Sequence, residues 1–297
     1  FTAFYYAFTK GHLEIMQILC EHGADLNNTT STKINLLQHL YENPINVDYK
    51  KSELLRFQVA KFLVQLGINL NHVNRSGDNI LQTIVESIEE NMSRNSDDPY
   101  VQILNILLSK SICINAQNNL GETVLHKAAK IGDISIIKYL IENGAEMIKD
   151  NEGNTPFHSA YLHGNLVVAK ILQEKMKMNW NDTNLKGQTY LHLAIMSFGV
   201  FSQIQVNQKV KFLLENKIII NLRDDKGNTA LHYSVMYCCF RTTKLLLKHG
   251  ANPNMVNNNG IDINALDSYG NTALNLFLKL ENHKDDDIEI IELLVKN

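Results

Sequence analysis

Cysteine is scarce in this chain of 297 residues. Cys20, Cys113, Cys238 and Cys239 fit no metal-ligand spacing, and neighbouring Cys238 and Cys239 are badly placed to bond each other, so a reducing compartment is the simplest reading. Basic excess is missing too: 28 Lys+Arg face 31 Asp+Glu, with the signs mixed along the chain, which argues against nucleic acid as a partner. No apolar run approaches the roughly 18 to 20 residues that span a bilayer. The opening FTAFYYAFTKGH has neither a basic n-region nor a small-residue cleavage site. Membrane insertion and secretion are therefore not expected, and a cytoplasmic location is. Metalloprotease, zinc-module, P-loop and serine-hydrolase signatures (H-E-x-x-H, paired C-x-x-C, G-x-x-x-x-G-K-[ST], G-x-S-x-G) are all absent, so no catalytic residue, metal or cofactor is expected.

What is present is a large apolar fraction, 44%, arranged as repeats. The segment GETVLHKAAKIGDISIIKYLIENGAE recurs as GNTPFHSAYLHGNLVVAKIL, GQTYLHLAIM, GNTALHYSVM and GNTALNLFL. The threonines after the glycines (Thr123, Thr155, Thr189, Thr229 and Thr272) are separated by 32, 34, 40 and 43 residues. Within a repeat, apolar residues at helical spacing (Val124, Leu125, Ala128, Ala129, then Ile134, Ile137, Leu140, Ile141) predict two short helices around a Gly-containing turn. Neither helix is long enough to be stable alone. Each pair must bury its apolar face on a neighbouring pair, which predicts a one-dimensional solenoid.

The T-x-L-H residues (Thr123, Leu125, His126; Thr189, Leu191, His192; Thr229, Leu231, His232) and T-P-F-H from Thr155 to His158 resemble the T-P-L-H-x-A box of the ankyrin-repeat family, whose period is about 33 residues. His22 to Asn27, Asn143 to Ala145 and His249 to Asn254 resemble its G-A-D-x-N lead-in. Asn35-Leu36-Leu37-Gln38 and Asn79-Ile80-Leu81-Gln82 are divergent boxes that keep hydrogen-bonding side chains. The resemblance implies an all-α ankyrin-repeat solenoid of stacked helix-turn-helix units with β-hairpin fingers. Eight units form a single array: 1–28, 29–73, 74–117, 118–149, 150–183, 184–223, 224–256 and 257–297. The extra residues Asn43 to Ser52, Asn91 to Pro99 and Phe198 to Gln205 are expected as loops between paired helices, and Asn258 to Ala265 as an enlarged finger. The first unit starts inside its own box. Phe1, Phe4, Tyr5, Tyr6 and Phe8 are expected to leave an aromatic end exposed, as in a segment of a longer protein.

The resemblance also implies roles. His126, His158, His192 and His232 are expected to tie each finger to its helix rather than to hold a metal. Cys238 stands where other units have Gly132 or Gly164, so pairing with His232 for nucleophilic catalysis is disfavoured. Trp180 is expected to pack at a finger base, and Asp285 to Asp287 to cap a helix. Partners of such arrays lie across the finger tips and the concave face of the first helices. This points to Ile131, Leu162, His163, Met196, Met236 and Tyr237 on the face, and to Leu120, Glu122, Glu152, Asn154, Lys186, Gln188, Asp225, Lys226 and Asn228 at the tips. Leu19 to Asn27 resembles the segment that an animal asparaginyl hydroxylase recognises, making Asn27 a possible hydroxylation site. Asn71, Asn221 and Asn254 lack the acidic residue two positions before. The functional expectation is a non-catalytic scaffold binding a protein. The Asn-, Ile- and Lys-rich composition suits a host-directed effector of an intracellular microbe or virus. The alternative is the targeting region of a larger enzyme or toxin.

Overall fold

A computed structural model describes residues 2–26, 35–42, 49–88, 98–176, 179–216 and 218–258. Fourteen helices occupy them in seven consecutive pairs. The pairs are α1 Ala3–Thr9 with α2 Leu13–Glu21, α3 Leu36–Glu42 with α4 Tyr49–Gln65, α5 Ile80–Glu86 with α6 Pro99–Ser109, and α7 Val124–Ile131 with α8 Ile134–Glu142. They continue with α9 Pro156–Leu162 and α10 Leu166–Lys175, α11 Tyr190–Met196 and α12 Gln203–Leu214, and α13 Ala230–Met236 and α14 Phe240–Lys248. Most of the eighth unit, including Asp285 to Asp287, and most of the expected enlarged finger lie outside the described residues. The chain forms two compact units, residues 1–151 with 155–157, and residues 152–154 with 158–297.

Helices α5, α7, α11 and α13 start from the same local chemistry. In α7, α11 and α13 the box threonine is the N-cap, and the histidine three residues on accepts from the threonine's own amide: Thr123 to His126 at 3.0 Å, Thr189 to His192 at 3.0 Å, Thr229 to His232 at 3.1 Å. In α5, Asn79 and Gln82 reproduce this reciprocal pair, with contacts of 2.8 and 3.0 Å. The fingers are tight turns rather than strand pairs. An asparagine or aspartate side chain accepts two backbone amides, as Asn118 does from Leu120 and Glu122, and Asp224 does from Lys226 and Asn228. Among the described residues no named strand occurs, and one isolated antiparallel bridge, Thr183 to Thr189, marks a finger. Gly121 in its turn has φ +77°, and a Cβ there would meet the Asn151 backbone nitrogen at 2.5 Å. Its lack of a side chain is therefore needed both for conformation and for stacking the next finger.

Successive fingers are joined by one backbone bond each. In the first unit Asn119 donates to Ser76 and Asn151 to Leu120. In the second, Leu185 donates to Glu152, Asp225 to Lys186 and Asn258 to Lys226.

The second helices supply the buried layer. Counted back four residues from the core leucine of each (Leu63, Leu107, Leu140, Leu172, Leu213, Leu246) stand Val59, Ile103, Ile136, Val168, Lys209 and Thr242, all buried. Burying one such aliphatic side chain contributes about 1.5–3 kcal/mol. The corresponding residue of α2, Ile15, is 47% exposed.

Two expectations need correcting. The extra residues of the long units are partly helical: α4 starts at Tyr49, and α12 starts at Gln203, where Ser202 and Gln205 form a capping box. Second helices of 17, 11 and 12 residues in α4, α6 and α12, against 9 in α8, therefore take up part of the added length. The aromatic end is also not exposed as a whole. Phe4 and Phe8 are core residues and the Tyr5 hydroxyl lies 2.9 Å from His39 Nε2, which leaves Tyr6 as the exposed ring among the described residues of that group.

Candidate protein-docking face

The first helices present equivalent residues on one face of each stack. Seven residues after the box Thr or Asn stand Thr9, Glu42, Glu86 and Lys130 in the first unit, and Leu162, Met196 and Met236 in the second. The same structural position therefore changes from polar or charged to apolar between the units.

In the first unit the charges are engaged. Lys127 is nearly buried and its Nζ lies 3.1 Å from Asp78 Oδ2 and 2.7 Å from Glu86 Oε2. Burial alone would lower the lysine's pKa. The hydrogen bond to Glu86 and the charges of Asp78 and Glu86 outweigh it, and the ammonium is held above its ordinary value. Lys130 makes a close ion pair with Glu122.

In the second unit Met236 is 63% exposed and Met196 and Leu162 are half-buried. Gln188 Nε2 lies 3.4 Å from the Met196 sulfur, fixing a side chain that is otherwise adaptable. Beside them the Tyr233 hydroxyl donates to Asp224 Oδ2 at 2.6 Å. Burial and that carboxylate both raise the phenol's pKa, so it stays protonated. Tyr237 stacks on Tyr233 at 6.3 Å, with the ring planes 13° apart. The result is an apolar row with an aromatic, hydrogen-bonded floor.

Of the face residues expected from sequence, Ile131, Leu162, Met196 and Tyr237 are half-buried, and Met236 and His163 exposed. His163 Nδ1 lies 2.9 Å from the Ser159 carbonyl, a bond along its own helix. Leu120, Glu152, Lys186, Asp225 and Lys226 stand exposed at finger tips, with Lys186 Nζ 3.8 Å from Glu152 Oε1. Glu122, Asn154, Gln188 and Asn228 do not: all four are buried. The cause is the turn itself. Asn118 Oδ1 draws in the Glu122 amide, Asn184 Oδ1 that of Gln188, and Asp224 Oδ1 that of Asn228, which carries the residue before the box threonine inward. The signal for this was in the sequence, as an Asx residue four positions earlier.

The boxes reach across repeats. Gln38 Nε2 donates to the Asp78 carbonyl at 2.9 Å, Gln82 Nε2 to that of Glu122 at 2.6 Å, and His192 Nε2 to that of Asn228 at 3.1 Å. Because His192 Nδ1 accepts from Thr189, its proton sits on Nε2, facing Asn228. Burial lowers the His192 pKa, so the neutral ring that this pattern requires is favoured. Such a histidine is structural.

No group of three or more His, Cys, Asp or Glu is placed to hold a metal among the described residues. Cys239 is buried, 3.6 Å from the Tyr237 carbonyl, and its pKa is pushed up to about 11 by burial and then by neighbouring Cys238, the opposite of an activated thiolate. Cys238 itself is exposed, with φ +52° at the turn position that glycine fills elsewhere. Trp180 is half-buried edge-on to Phe212 at 6.1 Å. Asn27 lies outside the described residues. At the related positions Asn71 and Asn254, the side chain two residues earlier accepts the asparagine amide. No described helix is long and apolar enough to cross a membrane.

A family model described as "Ankyrin repeats (3 copies)" matches residues 92–184 and 170–257, more than half of the chain, and one described as "Ankyrin repeat" matches residues 1–31. The chain belongs to the ankyrin-repeat family. Among its relatives, the ankyrin repeat protein L92 of Acanthamoeba polyphaga mimivirus is 36% identical over 88 residues, 29% of this chain and 20% of that protein. Neurogenic locus notch homolog protein 1 of Homo sapiens is 31% identical over 135 residues, 45% of this chain and 5% of that protein. A second mimivirus ankyrin repeat protein, L371, is 29% identical over 134 residues, 43% of this chain and 16% of its own length. The ankyrin chain thus aligns with a fifth or less of each of these relatives.

Proposed function

We propose that this ankyrin chain is a non-catalytic binding module that docks a protein partner on the first-helix face of its second unit. The observation that carries this reading is the row Leu162, Met196 and Met236, apolar at the position where the first unit has Thr9, Glu42, Glu86 and Lys130. Exposed apolar side chains, thioethers above all, suit a face that adapts to a protein surface. Lys186 and Lys226 at the finger tips add charged contacts at the rim. Ile131, on the first unit, and His163 and Tyr237, on the second, belong to the same reading, which includes neither nucleic acid nor a membrane. A cytoplasmic scaffold fits the free cysteines. The mimivirus relatives and the Asn- and Ile-rich composition favour a viral or microbial interaction protein acting in a host cytoplasm. The second reading, targeting region of a larger enzyme or toxin, is favoured by the small fraction of each relative that the chain matches.

The test is affinity capture followed by mass spectrometry with the native chain and with Met236→Asp. Met236 is exposed, so the substitution should leave the unfolding free energy within about 0.5 kcal/mol of the native chain. Specific captured proteins should be lost with the variant. Equal capture by both chains would overturn the assignment of this face.

A further inference from the structure

Lys209 occupies the position that is Val59, Ile103, Ile136, Val168 or Thr242 in the other pairs, and it is only 1% exposed. Its Nζ donates to Ser197 Oγ at 3.2 Å and sits 3.7 Å from the centre of the Phe201 ring. Both groups belong to the connection between α11 and α12. Ser197 Oγ itself donates to the Ala194 carbonyl at 2.7 Å. Phe201 is seated against the α9–α10 turn, where a Cβ on Gly164 would lie 2.8 Å from its ring, while Val200, one residue before, is 82% exposed. The connection is therefore a short cover with an outward apolar tip and an inward ring resting on a cation.

Among the described residues the cation has no counter-ion. Its polar contact is a neutral hydroxyl, and no charged group of α9, α10, α11 or α14 contributes to its environment among the described residues. The titratable group touching Lys209 is the Tyr161 phenol, which donates at 2.6 Å to the lysine's own backbone carbonyl and is held protonated by burial. A ring and one hydroxyl recover part of the hydration that a buried ammonium loses, but not all of it.

We propose that the Ser197–Ser202 connection is a hinged cover over Lys209 that opens to let the charged ammonium reach water and closes over the neutral amine. Burial lowers the Lys209 pKa to about 8 from 10.5, and linkage fixes the sign. A closed state that binds its proton less tightly than the open one loses ground as the pH falls from 10.5 to 8, and nothing more below 8. Two and a half pH units correspond to an opening constant raised about 300-fold over that range. Ser197 follows Met196 directly, so on the docking reading above the cover borders the partner face. The proposal itself needs only the cover.

The test uses the full chain with 4-fluorophenylalanine at position 201 and follows the fluorine resonance from pH 7 to 11, in the Lys209 chain and in Lys209→Met. Methionine restores the apolar character of Val59, Ile103, Ile136 and Val168 at this position and should fold. The expected result is a water-exposed ring signal that grows as the pH falls through 10.5 to 8 in the lysine chain and stays constant in the variant. A separate titration of the Lys209 Cε carbon in the unlabelled chain should report a midpoint near 8. A midpoint at 10 or above, or the same pH response in Lys209→Met, would overturn the proposal. Neither readout depends on a partner, so loss of the docking reading leaves this result standing.

Discussion

The Lys127 ammonium lies 3.1 Å from the Asp78 carboxylate, two groups 49 residues apart in sequence and both nearly removed from water. Asp78 also accepts from Asn118 Nδ2 at 2.7 Å, so its charge is shared between a later helix and a later finger. Removing one partner of such a pair leaves the other charge buried.

Lys127→Met should accordingly destabilise the chain by about 3 kcal/mol, whereas Lys127→Met combined with Asp78→Asn should recover most of the loss. Glu86, the lysine's second partner, is largely exposed, and Glu86→Gln should cost no more than about 1 kcal/mol. Denaturant unfolding of the parent, these three variants and Asp78→Asn alone, with the coupling energy from the Lys127–Asp78 double-mutant cycle, gives the check.

His192 predicts an acid limb. Its folded pKa lies below the ordinary value, so the unfolded chain takes up the proton first. Stability is complete above about pH 6.5 and is lost as the pH falls from there towards the folded pKa. His192→Gln copies the Gln82 arrangement, keeping a cap and a donor to the next finger without a titrating group. The expected outcome is a smaller stability loss between pH 6.5 and 5 in the variant than in the parent, read from urea midpoints. Identical slopes would remove His192 from the account.

Ile15 and Ile136 hold the same place in their helices and differ in what covers them. Ile136→Ala should cost about 3 kcal/mol through lost burial and the cavity left behind. Ile15→Ala, on a face 47% exposed, should cost less than about 1 kcal/mol. Thermal midpoints of the two variants test the contrast directly.

Much of the fold was legible because its signals are local. A threonine with histidine three residues on closes a capping box within one turn, as at Thr123 and His126, and the Asn79 and Gln82 pair reads the same way once its donors and acceptors are counted. The second helices followed from periodicity, although the start of α12 at Gln203 depends on the Ser202 cap, which resembles loop composition. The docking face was less legible. Glu122 and Gln188 look like exposed polar residues until the Asx turn four residues earlier is drawn. Lys127 and Lys209 look like surface lysines because their burial is set by residues from other helices, at Asp78 and at Phe201. A single polar letter carries no record of what packs over it.

Three bonds from box side chains to carbonyls of the next finger run from an earlier donor to a later acceptor. Gln38 needs the Asp78 carbonyl, 40 residues on; Gln82 needs that of Glu122, also 40; and His192 needs that of Asn228, 36 residues on. A chain emerging from the ribosome therefore presents each box donor before its acceptor exists. Completion of any repeat lags synthesis by one full repeat, and the newest helix pair is always the one still open to solvent or to a chaperone.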